Sequence, residues 1–207
     1  MARDSTAKQK LVEAALTMIR TKGYAATSVD ELCARAGVTK GAFFHHFASK
    51  DDLAVAAANY WSEATGAMFA DAPYHTHKDP LDRVLAYLDF RKDLLKGSVP
   101  EFTCLVGTMV QEVYETNPNI RAACDASISG HAATLEADIA EAMKLYGVKA
   151  GFTAASLALH TQAVLQGAFI LAKAKGGAGV AAASIDHLRR YIELLVQPKS
   201  SKGKALS

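Results

Sequence analysis

The sequence of 207 residues has little cysteine and little proline, and it lacks a long uncharged hydrophobic run. Its three cysteines, Cys33, Cys104 and Cys124, are too few and too scattered for a disulfide framework, and none forms a zinc-type cluster. The N-terminus lacks the apolar core of a signal peptide, and no stretch approaches the roughly 18 apolar residues of a membrane span. These absences favour a cytoplasmic protein with reduced thiols, no metal and no contact with a membrane.

The composition that remains is that of a globular protein. Hydrophobic residues make up 50% of the chain and charged residues 21%, which excludes a disordered or collagen-like chain. The formal net charge of +2 is uneven, since residues 1–60 are mildly basic and residues 61–198 mildly acidic. A basic N-terminal segment followed by an acidic remainder suits a protein whose N-terminal module binds a polyanion.

Apolar residues recur with helical spacing almost throughout, and strand-like alternation is missing over any useful length. Leu11, Ala15, Met18 and Ile19 form one stripe of a first helix, which Gly23 ends. The pattern therefore predicts an all-α fold of about nine helices.

Capping residues predict where the other helices begin. Ser28 with Glu31 and Ser49 with Asp52 form capping boxes, and Thr39 can cap the short helix between them. The second, third and fourth helices are predicted to end at Gly37, at Phe47 and near Phe69. The next helices are predicted from Asp79-Pro80 to Gly97, from Pro100, and from Asn117-Pro118 to Gly147 with a break near Ser129-Gly130. Two long helices are predicted over 151–175 and 178–196.

Two short helices joined by the turn Ala36-Gly37-Val38 form a helix-turn-helix arrangement. Val38 faces inward, and Phe43 with Phe47 anchors the back of the second short helix. The residues left on its outer side are small, polar or basic: Thr39, Lys40, Gly41, Ala42, His45 and His46. Such a face can enter a major groove about 12 Å wide.

This region resembles the N-terminal DNA-binding domain of TetR-type (TetR/AcrR family) regulators. The matching residues are Gly23-Tyr24, Ala26-Thr27-Ser28-Val29, the run from Ala36 to Phe43, His46-Phe47, Ser49-Lys50 and Leu53. The resemblance implies a DNA-binding domain over 5–65, with its helix-turn-helix at about 28–47, and a ligand-sensing and dimerisation domain over 66–197. The composition adds a flexible basic tail over 198–207.

The resemblance also implies which residues contact DNA. Thr27 and Ser28 would meet a phosphate at the start of the second helix, and Thr39 and Lys40 would contact base edges. Gly41 and Ala42 would allow close approach, and His45, His46 and Lys50 would grip phosphates. Phe44 departs from the family, which often has a tyrosine there, so its contact would be apolar.

Aromatic and apolar residues with a few polar tips predict a small-molecule pocket between the middle helices. The candidates are Trp61, Met68, Phe69, Tyr87, Phe90, Phe102, Cys104, Met109, Tyr114, His131, Gln162, Gln166 and Phe169. For each of them, ordinary core packing is the alternative.

Small and aliphatic residues on the last two helices predict a dimer interface, as the resemblance also implies. The candidates are Leu157, Val164, Gly167, Ala168, Leu171, Ile185, Leu188, Ile192 and Leu195.

Cys104-Leu105-Val106-Gly107, followed by Glu112, resembles a segment of a TetR subgroup in which some members respond to electrophiles or oxidants. Lys173 lies on a helix that could face Cys104, and a nearby ammonium favours the reactive thiolate. An inert buried cysteine is the alternative.

Together these features predict a ligand-responsive transcriptional regulator without a cofactor. It would bind a palindromic DNA operator as a homodimer, act as a repressor, and be released by a small apolar or aromatic effector or by a reactive electrophile. A helical adaptor that does not bind DNA is one alternative. The other, an enzyme using Cys104 and His160, lacks a third orienting group in the sequence, and we expect no enzymatic activity.

Overall fold

A computed structural model describes residues 6–149 and 151–196, and the described chain is helical with no strand. The helices are α1 Ala7–Lys22, α2 Val29–Ala36, α3 Lys40–His46, α4 Lys50–Ala70, α5 Pro80–Asp93, α6 Val99–Phe102, α7 Leu105–Val113, α8 Pro118–Ala133, α9 Glu136–Leu145, α10 Ala154–Lys175 and α11 Gly179–Val196, with a 3₁₀ turn at Pro73–Thr76. The all-α prediction is confirmed. The predicted tail over 198–207 and residue 5 lie outside the described residues.

The predicted caps are present at the starts of the first helices. Ser28 and Glu31 form a reciprocal capping box on α2, and the Thr39 side chain accepts a hydrogen bond from the Ala42 amide. The Ser49 side chain accepts one from the Asp52 amide at 3.1 Å. Local side-chain chemistry thus determines where α2, α3 and α4 begin.

Two predicted helices are each divided in the structure. The helix expected from Pro100 is interrupted at Thr103 and Cys104, whose extended backbones separate α6 from α7. The helix expected from Asn117 breaks at Thr134 and Leu135, so the predicted break near Ser129-Gly130 is wrong. Gly130 continues α8 because a helical glycine is tolerated at a modest stability cost.

The hydrophobic core crosses the predicted domain boundary at residue 65. One cluster joins α1–α4 to α7 and α8, so Leu11 and Phe43 share a core with Met109 and Ile120. A second cluster joins α5, α9, α10 and α11. The N-terminal helices are therefore held directly against the helices that follow the boundary.

Helix α10 is the one helix among the described residues that is long and apolar enough to cross a membrane. It packs instead against α8, α9 and α11 and places Leu157, Leu165 and Phe169 in the interior. Its apolar composition is that of a core helix.

Several side chains predicted for a dimer interface lie in the chain's own core. Leu157, Ala168, Ile185, Leu188 and Ile192 are each no more than 3% exposed and pack within this chain. That part of the prediction is wrong because α10 and α11 direct this stripe toward α5 and α9.

The other four predicted interface residues are less buried. Val164 and Leu195 are half-buried and pack against the second cluster, Gly167 is half-buried, and Leu171 is 46% exposed. The large exposed hydrophobic side chains on α10 and α11 are Leu159, Ile170, Leu171, Tyr191 and Leu194.

Candidate nucleic-acid interface and effector cavity

The turn between α2 and α3 has the backbone that the sequence predicts. Gly37 adopts a left-handed conformation with φ of 64°, and its amide donates to the carbonyl of Ala34. Phe43 and Phe47 are buried behind α3. This packing leaves the opposite side of α3 free to contact another molecule.

The outer side of α3 carries most of the predicted DNA-contacting side chains. Thr39, Gly41, His45 and His46 are exposed, Ala42 is half-buried, and Phe44 is 57% exposed. Polar and basic groups on a short exposed helix are suited to phosphates and base edges in a groove.

Lys40 forms an ion pair with Asp30 on this surface. Its Nζ lies 2.7 Å from Asp30 Oδ1 in α2, and this hydrogen bond raises the pKa of Lys40. Sequence reasoning treated the face as free of acid because Asp30 belongs to the preceding helix. The ion pair is solvent-exposed, so Lys40 can exchange Asp30 for a DNA partner at little cost.

Two predicted phosphate contacts hold the turn before α2. Thr27 is 1% exposed, and its hydroxyl donates to the Gly23 carbonyl at 2.7 Å, so its burial corrects its assignment as a DNA contact. Lys50 is half-buried, and its Nζ donates to the carbonyls of Tyr24 and Thr27 at 3.1 and 3.0 Å. Its phosphate contact stays a prediction. Ser28 is exposed, but its side chain caps α2.

A cavity of about 540 Å³ lies between α1, α4, α5, α6, α8 and α10. The predicted pocket residues that line it are Trp61, Met68, Phe69, Phe102, Cys104, His131, Gln162, Gln166 and Phe169. Its volume is within the usual range for a small-molecule site, about 300–1,000 Å³.

The other predicted pocket residues lie elsewhere. Phe90 packs edge-on against Phe69 behind the wall, Met109 is fully buried in the core, and Tyr114 is 55% exposed just after α7. Tyr87 is also fully buried, so it supports the wall without lining it. Helical periodicity cannot separate a lining residue from one packed behind it.

Three polar side chains form a chain of hydrogen bonds at the cavity wall. Gln162 Nε2 donates to the Tyr87 hydroxyl at 3.1 Å, and that hydroxyl lies 2.9 Å from His131 Nε2. Burial, aided by the positive charge of Arg91, lowers the pKa of His131 to about 4. The imidazole is therefore neutral at pH 7, and its Nε2 shares a hydrogen bond with the Tyr87 hydroxyl.

Arg20 and Arg91 also line the cavity, and sequence reasoning missed both. Helical spacing could have indicated both residues, because Arg20 lies one turn after Leu16 and Arg91 lies one turn after Tyr87, on the same helix face in each case.

Cys104 is half-buried at the N-cap of α7, where its Sγ accepts a hydrogen bond from the Gly107 amide at 3.4 Å. Lys173 lies in the same hollow and donates to the Thr108 hydroxyl at 2.6 Å. Burial lowers the pKa of Lys173, and the nearby Cys104 raises it.

The other two cysteines, Cys33 and Cys124, are buried. Burial raises the pKa of Cys33, and it raises that of Cys124 to about 12, so both stay protonated at pH 7. His160 packs against Tyr191 on the outer side of α10, and Cys104 lies at the cavity. The structure thus does not place His160 at the cavity that Cys104 lines, as the enzyme alternative would require.

An exposed helix-turn-helix joined through one core to a cavity-bearing helical bundle is the architecture of a helix-turn-helix regulatory protein. Residues 11–57 match the bacterial regulatory proteins of the tetR family, and residues 80–188 match the tetracyclin repressor-like C-terminal domain. The chain belongs to the TetR family, whose members are regulators and not enzymes.

Individual relatives agree with this assignment. A TetR transcriptional regulator from Chloroflexus aurantiacus is 28% identical, with a TM-score of 0.79 over 92% of this chain and 96% of that one. The transcriptional regulator AcuR of Cereibacter sphaeroides is 29% identical over 119 residues, 58% of this chain and 54% of AcuR. The Transposon Tn10 TetC protein of Escherichia coli is 51% identical over 45 residues, 22% of this chain and 23% of TetC. The chain thus spans about half or less of these curated relatives.

Proposed function

We propose that this chain is a cytoplasmic transcriptional repressor that binds duplex DNA through α3 and is released by a small molecule in the cavity. The observation that carries the proposal is the exposed, capped α3 held by one shared core to helices that line the cavity. The names of the relatives AcuR and the Chloroflexus protein, both transcriptional regulators, support it.

A homodimer follows from the small size of α3, the helix proposed to contact base edges. One helix of seven residues offers few base contacts, and two copies related by a two-fold axis would recognise a palindrome. The exposed apolar side chains of α10 and α11, including Leu171 and Leu194, provide the surface for such a pairing. Large exposed apolar patches usually mark a protein contact.

Helix α4 connects the two functions. Its first residues, from Lys50, pack with α1, α2 and α3, and its second half supplies Trp61, Thr65 and Phe69 to the cavity wall. Two α3 helices bind together only when their spacing matches a turn of DNA, about 34–36 Å or a multiple. A ligand that favours a different tilt of α4 therefore weakens DNA binding, and DNA weakens ligand binding by the same factor.

Selection of bound duplexes from a random pool tests the proposal. We expect an enriched palindrome, and a dissociation constant for it that rises steeply with salt because phosphate contacts release counterions. A helical adaptor would show no salt-dependent DNA binding and no enriched sequence. Either of those results would overturn the proposal.

Modification of Cys104 is a second route to release. The thiol lines the cavity together with Arg20, and Lys173 lies beside it in the adjoining hollow. An electrophile attached at this sulfur would occupy the same space as a bound effector.

A further inference from the structure

The helix α5 carries three basic side chains that differ in their partners. Arg83 pairs with Asp138 at 2.7 Å and with Glu141, and Lys92 Nζ lies 2.7 Å from Asp186 Oδ1. Arg91 has no hydrogen-bond or ion-pair partner anywhere in the described parts of the chain. Its guanidinium lies instead beside the ring of Phe69, within the cavity wall.

A half-buried guanidinium without an anion is unusual. Removing a guanidinium from water without a counterion costs free energy. Two aromatic rings flank Arg91, with Phe69 at 5.2 Å and Phe169 at 5.6 Å from the guanidinium carbon, and they replace only part of the lost hydration.

A second guanidinium lines the same cavity. Within the described residues, Arg20 of α1 bonds to no side chain but to the backbone carbonyls of Leu16 and Glu101, each at 3.1 Å, and it stacks over Trp61. Burial lowers its pKa, which shows that its charge is poorly solvated.

The one acidic side chain in the cavity wall does not neutralise these groups. Glu101 Oε2 accepts hydrogen bonds from the Ser98 amide at 2.6 Å and from the Ser98 hydroxyl at 2.7 Å. It caps α6 and lies within 4.0 Å of no basic group in the described chain. His131 is neutral, so the charged groups that line the cavity in the described chain are two guanidiniums and one carboxylate, set among mainly apolar walls.

We propose that the cavity binds an aromatic organic monoanion, whose carboxylate or sulfonate pairs with Arg91 and whose rings lie among Phe69, Trp61 and Phe169. This effector class rests on the proposed function, because it names what occupies the sensing cavity. An anion there gains charge-assisted hydrogen bonds in a site shielded from water. The bound anion also approaches Arg20 of α1, a helix that shares its core with α3.

A matched pair of fluorescent probes tests the proposal. 8-Anilino-1-naphthalenesulfonate is an aromatic monoanion, and N-phenyl-1-naphthylamine has the same rings without the sulfonate. The chain has a single tryptophan, Trp61, so energy transfer from it reports a probe in the cavity. We expect the wild type to bind the sulfonate more tightly, and 2-naphthoate to displace it better than neutral 2-naphthalenemethanol.

Arg91→Gln should raise the Kd of the sulfonate probe about tenfold or more and leave that of the neutral probe within about twofold. Arg91→Lys should keep the preference for the sulfonate. The control Lys92→Gln removes the same charge one residue away, outside the cavity, and should change neither Kd. Equal weakening of both probes by Arg91→Gln, or no preference in the wild type, would overturn the proposal.

DNA binding measured on the same samples separates this proposal from the proposed function. Salt-dependent duplex binding without a preference for the sulfonate would remove the anion site and leave the regulator. A preference that depends on Arg91, without duplex binding, would support the anion site and contradict the regulator.

Discussion

The carboxylate of Glu112 near the end of α7 binds the backbone of Tyr24 in the turn between α1 and α2. Its Oε1 accepts a hydrogen bond from the Tyr24 amide at 3.1 Å, and its Oε2 accepts one from the Ala25 amide at 2.8 Å. Gly23 has φ of 91°, and a Cβ there would lie 2.5 Å from Glu112 Oε1. Since Cys104, the N-cap residue of α7, lies in the cavity wall, α7 connects that wall to the turn that positions α2.

Glu112→Ala should lower the free energy of unfolding by about 1–3 kcal/mol, because it leaves two backbone amides without their acceptor. Urea denaturation measures the loss, and amide hydrogen exchange at Tyr24 and Ala25 should accelerate. The control Glu115→Ala removes an exposed acid just beyond α7 that has no partner among the described residues. If the two variants unfold alike and exchange at these amides is unchanged, the connection has no energetic role.

Lys40→Ala should weaken specific DNA binding by about 1–3 kcal/mol per half-site and relax base preference, because it removes a groove contact. Binding to the selected palindrome and to random duplex measures both effects. Asp30→Asn should strengthen binding to every duplex, since it removes an exposed acid beside Lys40. If Lys40→Ala changed neither the affinity for DNA nor the base preference, α3 would not be the helix that contacts base edges.

Lys50→Ala should act mainly on stability. Its ammonium holds two carbonyls of the turn before α2 and lies 4.1 Å from the centre of the Tyr24 ring. We expect a loss of about 1–3 kcal/mol in the free energy of unfolding, measured by urea denaturation. A variant of normal stability whose binding to all duplexes is equally weakened would support Lys50 as a phosphate contact.

Leu171→Glu combined with Leu194→Glu should convert a dimer into a folded monomer. The two side chains are 46% and 66% exposed, so the substitutions spare the core of each chain but place like charges in the proposed interface. Sedimentation gives the mass, and circular dichroism checks the helical content. Leu145→Glu, at a position 62% exposed on α9, is the control and should stay dimeric. A double variant that remains dimeric would place the interface elsewhere.

Cys104→Ser should remove release by electrophiles while preserving release by non-covalent ligands of the cavity. The serine hydroxyl can cap α7 as the thiol does, but it does not attack an electrophile at neutral pH. Release of labelled palindrome after treatment with N-ethylmaleimide measures the effect. Cys33→Ser serves as a comparison at a buried thiol, and equal release from wild type and Cys104→Ser would exclude Cys104 as the sensor.

Acid should destabilise the protein partly through His131. Because the pKa is about 4 in the folded chain and near 6.5 when unfolded, the unfolded chain binds the proton first as the pH falls. Stability present above pH 6.5 is thus lost between about pH 6.5 and 4, by about 1–3 kcal/mol. His131→Gln cannot titrate, so its free energy of unfolding should fall less between about pH 7 and 5. Equal pH dependence in the two proteins would contradict a neutral buried His131.

The helix-turn-helix was predictable from sequence because its determinants are local. Ser28 caps α2, Gly37 supplies a left-handed turn, and Thr39 caps α3, each acting within four residues. The divided helix at Cys104 was less predictable, because an extended backbone at Thr103 and Cys104 gives no strong signal in residue type.

By itself, the sequence determined the helical class, the helix starts and the outward face of α3, since propensity, caps and periodicity depend on neighbours along the chain. Only the tertiary structure decided that Leu188 lies inside and Leu194 outside, that Lys50 and Glu112 hold the turn at Tyr24, and that Arg91 meets no acidic side chain among residues 6–149 and 151–196. Those properties depend on which residues distant in sequence meet, and periodicity along one helix does not specify its neighbour.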